Sequence, residues 1–220
     1  MSPSASPAAA WTRAERAVLR RLSTPARIQA YLDGLQYRAE DRAACPRKVL
    51  VEGRAHCYDG AIFAAAALAE LGHPPLLLDM WAVRDDDHVL AVYRVDGYFG
   101  AIAKSNFVGL RFREPVYRTL RELVLSYFEL YFNAAGEKTL RAFSGLLDLR
   151  RFDRLGWRFD DAPLPFISDR LDALPHRKIL TRAMERRLQP VDPRSMEAGM
   201  LGTLREGLYA GGAKPRRAAR

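Results

Sequence analysis

The chain has 220 residues, of which 49% are hydrophobic, 28% charged and 10% aromatic, and its formal net charge is +9. Leu, Ile, Val and aromatic residues recur too often for a disordered polymer, and no uncharged apolar run reaches the roughly 18 residues of a membrane span. The charge is unevenly spread. Residues 177–220 hold 11 Lys/Arg against 4 Asp/Glu, and residues 1–24 hold four Arg against Glu15, so the body between them is close to neutral. The basic C-terminal region lacks the aromatic interleaving of a nucleic-acid platform, so composition argues for no more than weak polyanion contact there.

In chain order, residues 1–10 are Ser/Pro/Ala-rich and expected to be disordered. They carry no basic residue ahead of an apolar segment, so no secretion leader is read and the expected location is cytoplasmic. From Trp11 to Leu35 apolar residues fall at helical spacing, broken at Thr24-Pro25, which predicts two short helices. A polar connection over 38–48 follows, with Pro46 opening a short turn or helix through Leu50. The stretch CYDGAIFAAAALAEL (57–71) predicts a buried helix that stops at Gly72. Three apolar runs, 76–83, 88–95 and 98–103, read as antiparallel strands, the last two joined at Asp96-Gly97, a pair suited to a two-residue hairpin.

Beyond the hairpin, helical spacing over Pro115–Asn133 predicts a long helix, and residues 137–151 a further one. Residues 152–176 read as an irregular Pro- and Asp-containing stretch. Two basic helices are expected over 178–187 and 196–208, then a disordered basic tail over 209–220. The organisation is therefore one domain over 11–150 and an irregular, helical basic extension over 151–208, in an α+β fold.

Only two cysteines are present, Cys45 and Cys57, too few for a disulfide framework. Cys57 opens the Ala-rich helix, where unpaired backbone N–H groups and the helix dipole favour a thiolate, and a neighbouring His would favour it further. His88 opens a strand 31 residues later and is the candidate partner. Cys45, on a polar connector, has neither feature and reads as a spectator. His56, Cys57, His73, His88 and nearby aspartates lack CxxC or HxxxH spacing, so no metal site and no cofactor is expected.

The residues from Tyr37 through PRKVLVEGRAHCYDGAIFAAAALAELGHPPLLLDMWAV to DDDHVLAVYRVDGYFGAIAKSN, roughly 70 of 220, resemble the bacterial transglutaminase-like members of the papain-like cysteine enzyme superfamily. The resemblance implies a papain-like core, a nucleophile helix packed on a small antiparallel sheet, with helical additions at both ends. It also implies Cys57 as nucleophile and His88 as base in acyl transfer from a peptide, amide or ester to water or an amine. Such enzymes usually carry an Asp about 15 residues after the His, whereas counting on from His88 reaches Ala103, Lys104, Ser105 and Asn106. Asn106 is the candidate to orient the imidazole. Gln36 is a candidate oxyanion donor, and Asp85, Asp86 and Asp87 read as a solvated loop, or else as charges that favour imidazolium or receive a cationic substrate. The missing Asp leaves a second reading open, a catalytically inactive binding module on the same fold.

Overall fold

Thr12 and Thr24 start the first two helices. The hydroxyl of each accepts an N–H from the first turn, that of Glu15 and of Arg27, giving α1 (Arg13–Arg21) and α2 (Pro25–Gly34). The structure, a computed structural model, describes residues 10–40 and 42–209, so the tails expected to be disordered lie outside it except for Ala10 and Tyr209. Two-residue strands β1 (Gln36–Tyr37) and β2 (Arg54–Ala55) pair in parallel around α3 (Pro46–Glu52). Helix α4 (Cys57–Glu70) follows, almost wholly buried, and ends ahead of Gly72 at φ +86.

The fold is α+β around a mostly antiparallel sheet. Strands β3 (Leu76–Ala82), β4 (His88–Val95) and β5 (Tyr98–Ile102) follow α4 as expected. The β4–β5 turn has both central residues left-handed, Asp96 at φ +50 and Gly97 at φ +89. Strand β6 (Arg113–Tyr117) pairs with β5, and α5 (Leu120–Leu125) follows it. The long helix expected over 115–133 is therefore a strand, a six-residue helix and a 3-10 turn at Phe128–Leu130. Ser126 closes α5, its hydroxyl donating to the Leu123 carbonyl.

The helix expected over 137–151 is instead β7 (Leu140–Ser144) and β8 (Leu147–Asp148), both paired to β3, with a 3-10 stretch over Leu149–Leu155. The stretch expected to be irregular contains α6 (Leu164–Asp172). Strand β9 (His176–Lys178) then extends the sheet beyond β7, and the two basic helices reduce to α7 (Arg182–Glu185) and α8 (Pro193–Gly199). The order of the sheet is β6-β5-β4-β3-β7-β9, with β8 beside β3.

One face of this sheet, through Leu77, Val89, Ala91 and Tyr93, packs on α4; the other, through Leu78, Met80, Leu90 and Val92, packs on Leu123, Tyr127 and Tyr131. Trp157, Leu164, Ile167 and Leu171, from the segment after residue 150, join the core around α4. Helix α4 approaches the chain just beyond β5 closely because Gly60 has no side chain. A Cβ there would lie 2.3 Å from that of Lys104.

Candidate functional site

Helix α4 starts at Cys57 because His56 caps it. The His56 backbone is extended, and its ring Nδ1 accepts from the N–H groups of Tyr58 at 3.0 Å and Asp59 at 3.4 Å. The buried Asp59 carboxylate accepts in return from the His56 N–H at 3.3 Å and from the Ala44 N–H at 2.8 Å. An imidazole thus does what Ser or Thr usually does at such a box.

The half-buried Cys57 presents its sulfur to the beginning of β4, 3.9 Å from the Asp87 carbonyl oxygen. His88 is the next residue. Strand alternation aims its ring to the Leu90/Val92 side of the sheet, edge-on to Tyr131 with ring centroids 6.4 Å apart, whereas α4 covers the Val89/Ala91 side. Cys57 and His88 nevertheless border one cavity of about 40 Å3, room for about one water. The ring Nε2 lies 2.7 Å from the Leu110 carbonyl. A carbonyl only accepts, so Nε2 carries the hydrogen and Nδ1 is the basic nitrogen.

Electrostatics differ from the sequence expectation. Burial pushes the Cys57 thiol up to about 12, the charges of Asp86 and Asp59 push the same way, and the Val89 and Tyr58 N–H groups oppose them. Burial also pushes His88 down to about 4, with the Leu110 hydrogen bond opposing and the charge of Arg113 adding to the fall. At neutral pH the pair rests as thiol and imidazole rather than as an ion pair. The helix start does not prevail because burial outweighs it, and the Asp59 N–H is taken up by the His56 ring.

Asn106 borders the same cavity but does not hold the ring. Its Oδ1 accepts from the Leu204 N–H and its Nδ2 donates to the Leu204 carbonyl, each at 2.8 Å. The ring's hydrogen bond is instead to the Leu110 carbonyl, delivered by the 3-10 turn Val108–Leu110. Arg113 braces that turn, donating to the Gly109 and Ser126 carbonyls at 3.0 Å while its guanidinium lies 3.8 Å from the centre of the Tyr127 ring. Gln36 is exposed on β1 and borders neither cavity at Cys57; its neighbour Tyr37 borders both.

The aspartate loop is built into the fold rather than merely solvated. Asp85 is buried and accepts from the Thr139 hydroxyl at 2.7 Å, and Asp87 accepts from the Ala82 N–H at 2.9 Å. Tyr131 donates to the Asp86 carbonyl at 2.7 Å. Cys45 is buried, its thiol pushed up to about 11 by burial. Among the described residues no group of three or more His, Cys, Asp or Glu could hold a metal ion.

A wider cleft of about 520 Å3 opens outside the sulfur, bordered by Tyr37, Trp81, Asp86, Asp172, Glu206 and Leu208 among others. Sequence reasoning did not find Tyr37, Trp81, Leu110 or the 206–209 segment, since each reaches the site through tertiary folding with no local motif to mark it. Among the described residues no helix is long and apolar enough to cross a membrane. No protein-family model matches the chain, and no curated protein matches it.

Proposed function

We propose that this protein is a cysteine-dependent acyl-transfer enzyme with a papain-like, transglutaminase-like core, in which Cys57 carries the acyl group and His88 serves as base. The observation that carries the reading is one cavity bordered by a helix-initiating thiol and by an imidazole whose Nε2–H is committed to the Leu110 carbonyl. That commitment leaves Nδ1 to accept the thiol proton through a single water in the shared cavity. The thiol then attacks the carbonyl of an amide or ester, and the imidazolium returns its proton to the leaving group, giving a thioester on Cys57. Water or an amine would resolve it. The Cys57 N–H, with Tyr37 or Trp81 as a donor at the cleft, would meet the oxyanion.

A second reading, a binding module without chemistry, is favoured by the neutral resting pair and by a backbone carbonyl standing where a carboxylate is usual. Incubation with p-nitrophenyl acetate separates the two. The enzyme reading expects an acetyl adduct on Cys57, found by peptide mass mapping, that forms about 100-fold or more slowly in His88→Ala. Equal adduct formation in both proteins would leave the binding module standing.

A further inference from the structure

We propose that Asn106 and Tyr37 form a docking site for a polypeptide segment in front of Cys57, and that residues 203–209 of this same chain fill it. The proposal rests on Cys57 as the working thiol and says what reaches it.

The chain reverses at Gly202, which is left-handed at φ +72, and then runs along the mouth of the site. Asn106 takes both backbone groups of Leu204, and the Thr203 hydroxyl donates to the Asn106 carbonyl at 2.9 Å. Three hydrogen bonds thus converge on one residue, 98 positions away from its main partner. Elsewhere in the fold Gln29 makes the same two-way amide bond to the Ala103 backbone, at 2.9 and 3.1 Å, where it ties α2 to the end of β5. Such a bond reads main chain and leaves the bound residue's identity free.

Selectivity enters three residues later. At Gly207 a Cβ would lie 2.7 Å from the Tyr37 ring and 3.1 Å from the Asn106 amide nitrogen, so any side chain there has to push the ring or the amide aside. From there Gly207 and Tyr209 border the cavity shared by Cys57 and His88, and Glu206, Gly207 and Leu208 border the outer cleft. The segment therefore lies where a polypeptide acyl donor would have to lie. The substrate class is a polypeptide with a glycine three residues beyond the residue bound at Asn106, and residues 203–209 are its intramolecular competitor.

The test measures access to Cys57 by labelling the native full-length protein with a biotin maleimide and mapping the labelled peptides. Cys45, buried in the core, reports general opening. Gly207→Val displaces the segment and should speed Cys57 labelling about tenfold or more with Cys45 unchanged. Adding the free peptide TLREGLY at millimolar concentration should restore protection, and the same peptide with valine for glycine should not. In Asn106→Ala, labelling should also quicken, and the free peptide should give no protection. The proposal is overturned if Cys57 labelling is unchanged in both variants, if Cys45 labelling rises in step, or if the peptide fails to protect Gly207→Val. Access and proton transfer are read separately. A normal acetylation rate in His88→Ala would remove the catalytic reading while leaving the labelling result intact.

Discussion

Replacing His88 by Gln should make the fold markedly less sensitive to acid. The ring is buried in the folded chain and held at about 4 against an ordinary 6.5, burial being the main cause. As pH falls through 6.5 the unfolded chain takes up a proton that the folded chain refuses, so folding stability drops and levels off only below pH 4, where both states are protonated. The gap between those two values, at about 1.4 kcal/mol per pH unit, amounts to about 3.5 kcal/mol in all, of which about 3 kcal/mol is lost by pH 4. Glutamine keeps an N–H donor for the Leu110 carbonyl but does not titrate. Urea unfolding at pH 7 and pH 4 should therefore show the wild type losing about 3 kcal/mol more than His88→Gln. Parallel losses in the two proteins would refute a neutral, buried imidazole.

Two further outcomes follow from the same contacts. With its thiol pushed up to about 12, Cys57 in the folded wild type should react with iodoacetamide at least about 1000-fold more slowly than a free thiol at pH 8, rising about tenfold per pH unit up to pH 11. A rate that levels off near pH 9 would mean a solvated sulfur. Gly60→Ala puts a methyl group 2.3 Å from the Lys104 Cβ, and should cost about 1–3 kcal/mol by forcing α4 away from the chain at Lys104. An unchanged melting temperature would show that the two backbones can part freely.

The sequence carried the parts whose signals are local. The Ala-rich run after Cys57 and the Asp96-Gly97 turn each specify their structure within a few residues, and α4, β4 and β5 stand where they were expected. Strand β7 was illegible because all five of its residues are buried, so the alternation that marks a half-exposed strand is absent. The apolar spacing over 115–133 suggests one helix, whereas Leu123, Tyr127 and Tyr131 reach the core from α5 and the turn that follows it. Tyr127 and Tyr131 follow α5 in a tighter turn and send their hydroxyls to the carbonyls of Arg111 and Asp86. Asn106 was placed near His88 by counting along the chain. Its partnership with Leu204 depends on a return of the chain that no nearby residue announces.

The acceptor behind the imidazole is main chain rather than a side chain. Every amino acid brings a carbonyl, so a substitution at position 110 would leave the oxygen in place so long as the turn survives. The vulnerable point moves instead to Arg113, whose guanidinium fixes the turn. Searches that demand an acidic or amide residue as the third member of a cysteine-histidine site would pass over any protein built in this manner.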